Sequence, residues 1–524
     1  MADASQGLEG VTSSSVKDIR LTPDGGNVLP EQPPTRPRWR SVLLVLTCTL
    51  AMITNLASST AVSVFLPVIG ADLNIPEDQL QWLVSSFTLS SGCFLLLLGR
   101  LADLYGRKKF FLLGTAWLVA FSIGCGFAQN PISLYILRAL QGLGPASFIP
   151  ACLGILAHAF PPSRARSIAF ATFSAGAPIG GALGTQLGGV LTQYTKASWR
   201  APFFLIAGFS ALCVLGGLFL IDPDLPSMEP DTRVDWLGAF LVTSGLVLLV
   251  FVLGQGSLAP HGWRTPCTVL LLSTFLLWQH YLERSEGVHR PSLMKLTLWT
   301  RAEGKFAVMQ AIAFFEWAAF LSWYFWAQVY YEDYAKLTPV LTAVRMLPMT
   351  VAGALCNVFV VLVISRVDLV FLIVFGTSFT GLGALLFAVI RPSAPYWAFG
   401  FPSTIVAVFG GDFVFAAGTM FVAKVTLPHE QSLAGGLFQT LTQLGTAFGL
   451  AITTLVFNSI PGGKEDDAPL KAYQAAQWTA FGMAILCTLL ATFFLRGVGP
   501  VGFDERRKDP QIEHEHVTGQ KNVE

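Results

Sequence analysis

Apolar stretches long enough to cross a lipid bilayer recur along almost the whole of this sequence, and no other feature restricts its fold as much. A hydrocarbon core of about 30 Å takes about 20 apolar residues in helical form. Fourteen stretches meet or approach that length, near 42–68, 80–99, 110–127, 132–156, 167–191, 203–221, 237–254, 266–280, 306–327, 340–364, 369–390, 399–422, 432–457 and 477–495. The eighth is the shortest and ends in Trp278-Gln279-His280. Inside a bilayer each backbone N–H and C=O has to be satisfied within its own element, so such stretches form helices. The expected fold is an all-α polytopic membrane protein. Charge agrees: 12% of the 524 residues are charged and 53% hydrophobic, whereas a soluble chain carries roughly 25% charge. Thirty-three Lys and Arg against 32 Asp and Glu leave +1, which provides no basic surface for nucleic acid.

Charge placement gives a topology. With a cytoplasmic N-terminus and fourteen spans, 24 of the 33 Lys and Arg fall in cytoplasmic segments and eight on the far side, with Arg138 inside a helix. That is the positive-inside bias. An even count keeps Arg506, Arg507 and Lys508 inside with the N-terminus, so fourteen is expected and twelve is the alternative. The polar first 38 residues contain no apolar core of a cleavable signal.

An internal repeat sets the plan. At an offset of 265, Ser167, Ala169, Phe173, Gly180, Ala182 and Gly184 align with Ser432, Ala434, Phe438, Gly445, Ala447 and Gly449, and Asp103 aligns with Asp368. The offset exceeds the length of the first six spans by enough for two more helices. The expected organisation is an N-tail (1–40), a six-helix half (41–221), linkers with two extra helices (222–303), a second six-helix half (304–495) and a C-tail (496–524). Repeated halves facing one another across a central site are the plan of secondary transporters. Of the eight Cys, Cys48, Cys93, Cys125, Cys152, Cys213, Cys356 and Cys487 lie in apolar runs and Cys267 near a helix start. None has metal-ligand spacing, so free thiols are expected and no metal site.

Three motifs point to a family. The loop after the second span reads Gly99-Arg100-Leu101-Ala102-Asp103-Leu104-Tyr105-Gly106-Arg107-Lys108-Lys109. It resembles the signature loop of the major facilitator superfamily, Gly-x-Leu-Ala-Asp-x-x-Gly-Arg-Lys, with Leu104 where that family often has Arg. In span four, Arg138-Ala139-Leu140-Gln141-Gly142 resembles the second motif, Arg-x-x-Gln-Gly, whose Arg the resemblance implicates in proton coupling. An arginine within hydrocarbon costs about 2.5–3.5 kcal/mol on insertion scales, so it has to face a partner or a wet cavity. In span five, Gly176-Ala177-Pro178-Ile179-Gly180-Gly181 runs on to Gly184 and Gly188. Glycines four apart share one helix face and admit another backbone. The stretch is similar to the antiporter motif of drug exporters, Gly-Pro-x-x-Gly-Gly, with Ala177 in place of a Gly.

Smaller details narrow the resemblance. Gln81-Trp82, Asp235-Trp236-Leu237-Gly238 and Gly262-Trp263 look like the fourteen-helix drug:proton antiporter group. Phe325-Trp326, Tyr330-Tyr331 and Leu433-Ala434-Gly435-Gly436 are similar to its fungal aminotriazole-resistance-type and secondary-metabolite exporters. One departure stands out: Ala57-Ser58-Ser59-Thr60 occupies the place of the group's Leu-Asp-x-Thr, so Ser58 replaces the span-one Asp.

Two acids lie well inside spans, Glu316 and Asp412. A carboxyl in low dielectric favours its neutral form and can load and release a proton as access alternates, so Glu316, Asp412 and Arg138 are the candidates for proton coupling. Gly99, Asp103, Gly106, Arg107 and Lys108 form the loop expected to govern conformational exchange. Gly176, Pro178, Gly180, Gly181 and Gly184 form the packing motif. Glu316 shares a helix face with Phe320, Trp323, Ala327 and Tyr330; Tyr330, Tyr331 and Tyr334 read as an interfacial aromatic belt. Asn55, Gln141, Trp323 and Gln328 are candidates to line a substrate cavity.

The expected function is proton-coupled efflux of small organic molecules by alternating access, powered by the proton gradient without a cofactor. A monomer in the plasma membrane is expected, with the vacuolar membrane as an alternative site. The missing span-one Asp and Ala177 keep open an importer or uncoupled facilitator of a small nutrient or ion such as ammonium. There is no Gly-x-x-x-x-Gly-Lys-Ser/Thr nucleotide loop and no His-Glu-x-x-His metal motif, so neither ATP-driven transport nor an enzyme is expected.

Overall fold

In the computed structural model, proline and glycine mark out the helices that the apolar stretches form. The structure describes residues 37–224, 234–255, 296–460 and 468–500 apart from Pro76, Gln81, Pro162 and Ser365, together with several residues between 273 and 281. Helix α1 (Arg38–Leu73) bends at Phe65, just before Pro67, which lacks the N–H that would continue the ladder. It is followed by α2 (Trp82–Tyr105), α3 (Arg107–Gly126), α4 (Pro131–Ala159), α5 (Arg164–Tyr194), α6 (Ala201–Leu220) and α7 (Trp236–Gln255). The second half consists of α8 (Lys305–Val329), α9 (Pro339–Val363), α10 (Leu369–Ala388), α11 (Tyr396–Val425), α12 (Gln431–Ser459) and α13 (Ala468–Phe494).

Side-chain caps start several of these helices. Asn130 accepts from Ser133 N–H at 2.8 Å ahead of α4, with Pro131 at the first helical position where no N–H is needed. Ser163 caps α5 and Thr338 caps α9 in the same way.

Among the described residues, twelve helices are long and apolar enough to cross a membrane. The expected fourteen are not reached there. Helix α7 is helical throughout, but its apolar part among the described residues, Trp236–Leu249, is shorter than a span. The expected span at 266–280 lies mostly outside the described residues, as do nearly all of the N-tail and the C-tail from residue 501.

The helices pack in two groups. Helix α2 packs on α4, and α3 on α4 and α6; in the second group α8 packs on α12 and α13, α10 on α11 and α13, and α9 on α11. Two seams join the groups, α2 and α4 against α12, and α5 against α9 and α11. Helix α7 touches both α2 and α12 and so lies along the first seam. Its N-terminus is capped by Asp235, whose Oδ1 accepts from Gly238 N–H at 2.8 Å and from the Trp278 indole at 3.1 Å.

The glycine stripe of α5 shows why these helices meet. In lipid no hydrophobic gain drives helices together, so association rests on close van der Waals fit. A methyl group on Gly176 would stand 2.9 Å from the Thr49 carbonyl oxygen of α1, and one on Gly180 2.6 Å from that of Ile53. At Gly184 it would meet the Ala57 backbone at 2.8 Å. The aligned glycines of α12 repeat the arrangement: Gly445 seats Phe314 and Gly449 seats Ala318, both on α8. Gly181, off the stripe, has nothing within 4 Å of where a side chain would begin.

Candidate functional site

The signature loop joins the two halves at one end of the bundle. Asp103, at the end of α2, accepts from the N–H groups of Ser432 (3.3 Å) and Leu433 (2.8 Å), in the first turn of α12. Those donors have no partner within α12, and the positive end of the helix dipole favours a carboxylate there. Arg107 grips the same carboxylate through Nε (2.9 Å) and Nη2 (2.7 Å), and its Nη1 donates to the Gly154 carbonyl at 3.1 Å. Close approach requires glycine on both sides: a methyl group on Gly99 would stand 2.9 Å from the Ser432 carbonyl oxygen. Gly106 turns the chain at φ +118° against Asp224, a conformation that side chains resist. Asp224 accepts from Lys108 N–H (2.8 Å) and Lys109 N–H (3.1 Å), while Lys108 Nζ donates to the Ile221 and Leu218 carbonyls at the end of α6. At the same end Arg166 of α5 donates to the Ala423 carbonyl of α11 at 3.0 Å. The halves are therefore tied together at the Asp103 end.

Arg138 is fully buried in α4. Its Nε donates to the Leu83 carbonyl (2.8 Å) and its Nη1 to Gln141 Oε1 (2.7 Å) and the Ser58 carbonyl (3.3 Å). Gln141 passes the chain on to Ser122 Oγ at 2.7 Å. The guanidinium also lies 4.5 Å from the centre of the Phe87 ring. Arg138 thus braces α1, α2 and α4, and Gln141 belongs to that brace and not to a cavity wall. Arg138 Nη2 and Ser58 Oγ are both buried without a partner.

The two buried acids are not brought together. Glu316 of α8 lies against Gly410 of α11 and beside Thr380 of α10, and neither of its oxygens has a hydrogen-bond partner. Thr380 already donates its proton to the Ala407 carbonyl at 2.8 Å. At 100° per residue, Gly410 and Asp412 lie on nearly opposite faces of α11. Asp412 accordingly faces α9, where a methyl group on Gly353 would stand 2.8 Å from its Oδ2 and 3.0 Å from the Pro178 side chain of α5. The Asp412 carboxylate, Gly353 and Pro178 therefore meet at the second seam. Asn357, one turn beyond Gly353, lies beside Asp412 and donates to the Gly353 carbonyl at 2.9 Å. Asp412 Oδ2 itself is buried without a partner.

Packing places the other candidates. Trp323 is fully buried within the C-terminal half, its indole donating to Ser403 Oγ at 3.0 Å, so it fills that half's core and does not line a cavity. Gln328 donates to Glu332 one turn on, at 3.3 Å, near the end opposite Asp103. Asn55 is buried in α1. Tyr330 and Tyr331 are not a membrane-interface belt: they are 5% and 2% exposed and pack with Phe387. Asn357 and Asp224 escaped the reading of the sequence. Asn357 offered only the signal of a lone amide in an apolar run, and Asp224 that of an acid after a helix end. The seven described cysteines are free and buried.

Two packed six-helix halves, closed on each other at one end and carrying buried acids and an arginine among their helices, define a transporter of the alternating-access plan. Residues 48–450 match the family described as Major Facilitator Superfamily. The chain belongs to that superfamily: it is a multi-pass membrane transporter and not an enzyme. It is 29% identical to the low affinity ammonium transporter of Saccharomyces cerevisiae, over 87% of this chain and 88% of that protein. It is 25% identical to the efflux pump terJ of Aspergillus terreus, over 86% of this chain and 87% of that one. Of solved structures, the human organic anion transporter MFSD10 (TETRAN) has the same fold at a TM-score of 0.64 and 16% identity, covering 88% of this chain and 100% of that one.

Proposed function

We propose that this transporter exports small organic molecules in exchange for protons, as a member of the fourteen-helix drug:proton antiporter group close to the fungal aminotriazole-resistance-type exporters. In this reading α7 and the stretch near 266–280 are the two additional spans, both termini are cytoplasmic, and the protein works as a monomer in the plasma membrane without a cofactor. The Asp103 end is then the cytoplasmic end, closed in this structure.

The observation that carries the coupling is the position of Asp412. A driving ion shifts an alternating equilibrium only if it binds the two states differently. Asp412 lies behind Gly353 at the seam where Pro178 meets α9. Rocking of the halves moves Pro178 off Gly353 and changes the access of water to the carboxyl, so the two states hold its proton with different affinity. Glu316, enclosed by elements of a single half, keeps the same neighbours in both states and so contributes less to the coupling. The glycine groove of α5 and the efflux pump among its relatives support the outward direction.

The test uses inverted membrane vesicles with an imposed proton gradient and aminotriazole as the first probe. Asp412→Asn should abolish accumulation against the gradient while leaving exchange measurable, and Glu316→Gln should retain at least part of it. Gradient-driven accumulation by Asp412→Asn equal to wild type overturns the assignment. The second reading, an uncoupled facilitator of ammonium, draws on Ser58 in place of the span-one Asp and on the ammonium transporter among the relatives. Methylammonium uptake that survives collapse of the proton gradient favours it.

A further inference from the structure

At the end of the C-terminal half opposite Asp103, the structure holds a cavity of about 300 Å³. Helix α8 does not simply stop there: its last turn widens into a π-turn, Tyr330–Tyr334, which brings Tyr330 and Tyr331 to the cavity wall. Arg345 of α9, Arg391 after α10, and Tyr396 and Gly400 of α11 supply the rest of the polar and aromatic lining. The Arg345 guanidinium lies 5.2 Å from the ring centres of both Tyr331 and Tyr396. Tyr396 in turn donates its hydroxyl to the Arg345 carbonyl at 2.6 Å. An arginine held between two ring faces is fixed in place before any ligand arrives, so less side-chain freedom is lost on binding. The Tyr331 ring is 2% exposed, and its hydroxyl, buried against Gly400, has no hydrogen-bond partner.

Charge decides what fits. Two arginines line the cavity, and none of the described residues lining it is a carboxylate. On the adjoining turn, Glu332 accepts from Gln328 and Asp333 lies toward Tyr473. A volume near 300 Å³ is at the small end of ligand pockets. Arginine donors match carboxylate and phosphate oxygens, and tyrosine faces and Ile390 match a flat or apolar body. We propose that this cavity is a binding site for a small organic anion, a carboxylate or phosphate group on an apolar body, separate from the path between the halves. All its lining residues belong to the C-terminal half, so the site can be filled without contact with the N-terminal half. The anionic group can be carried by a dissolved molecule or by a lipid.

The experiment uses the full chain in phosphatidylcholine nanodiscs with benzoate as probe and benzylamine as its cationic counterpart, read by thermal unfolding and titration. Benzoate should stabilise the wild type and benzylamine should not. Arg345→Gln and Arg391→Gln should each weaken benzoate at least tenfold, and Tyr331→Phe several-fold. Nanodiscs containing phosphatidylglycerol separate the two sources. If that lipid stabilises the protein through the same arginines and competes with benzoate, the anion is the lipid's; if it does neither, the ligand is a dissolved molecule. The proposal is overturned if neither benzoate nor phosphatidylglycerol stabilises the wild type, if benzylamine binds as well as benzoate, or if Arg391→Gln binds benzoate unchanged. That last variant sits at the exposed rim and keeps the test decisive even if Arg345→Gln fails to fold.

Discussion

Neutralising Asp103 should open the end of the bundle that this structure shows closed. In Asp103→Asn the side chain keeps its shape and one acceptor oxygen but loses its charge. Only contacts that differ between the two states move the equilibrium, and the Arg107 pair, lying within one half, does not. What changes is the pair of bonds to Ser432 and Leu433 N–H, at 3.3 and 2.8 Å, and the attraction to the N-terminus of α12. A hydrogen bond to a charged group is worth roughly 1 kcal/mol more than a neutral one, and the helix end adds about 0.3–1 kcal/mol. The closed state should therefore lose about 2–3 kcal/mol, a shift of roughly 30- to 150-fold in the ratio of states. Spin labels at Arg164 and Lys424, both exposed and near the Arg166–Ala423 contact, report the separation of the halves in nanodiscs. The short-distance population should dominate in wild type and shrink in Asp103→Asn. An unchanged distance distribution in a correctly inserted Asp103→Asn protein would refute the latch.

Gly180→Ala places a methyl group 2.6 Å from the Ile53 carbonyl and should cost about 1–3 kcal/mol. Gly181→Ala, with open space around it, should match or exceed wild type in melting temperature, and equal losses would discredit the groove. Ser58→Asp puts a carboxylate on the residue whose carbonyl already accepts from Arg138 Nη1 at 3.3 Å, in a region where Arg138 Nη2 has no partner. It should raise the melting temperature and give transport a new acidic limb in its pH profile; identical profiles would mean that the two side chains do not meet. Asp72 accepts from the Trp199 indole and from Arg200, each at 2.9 Å, and these donors hold its carboxyl below the usual range. Its contribution is thus complete above the ordinary carboxylate pKa near pH 4 and lost as pH falls through the lowered folded value. Asp72→Asn should cost a small, equal amount of stability at about pH 6 and pH 8 and less near pH 3, small because the pair is half exposed. A cost that grows between the two higher values would show that another group titrates there.

Much of the fold was legible because bilayer physics acts on single segments. Twenty apolar residues have to become a helix wherever they sit in the chain, so spans could be read without knowing their neighbours. The stripe at Gly176, Gly180 and Gly184, and its copy at Gly445 and Gly449, announced a backbone contact because spacing on one helix fixes a face. The loop from Gly99 to Lys108 was legible for the same local reason, its turn glycine and charges being adjacent in sequence. What the loop grips was not. Asp103 meets the α12 terminus 329 residues away, and only the packed halves bring that terminus to it.

Tertiary structure also separated residues that looked alike. Glu316 and Asp412 are both lone acids in apolar runs, yet a rotation of about 200° between Gly410 and Asp412 on α11 sends one carboxyl into a single half and the other to the seam. Trp323 and Gln141 had the composition of cavity residues, and packing made them core; Tyr331 had that of an interface residue, and packing set it in the wall of a cavity instead. The cavity beside Arg345 could not be read at all, because its two arginines and three tyrosines come from α8, α9, α11 and a connecting turn. Periodicity tells which face of a helix is special; which partner that face meets depends on how the helices are arranged in three dimensions.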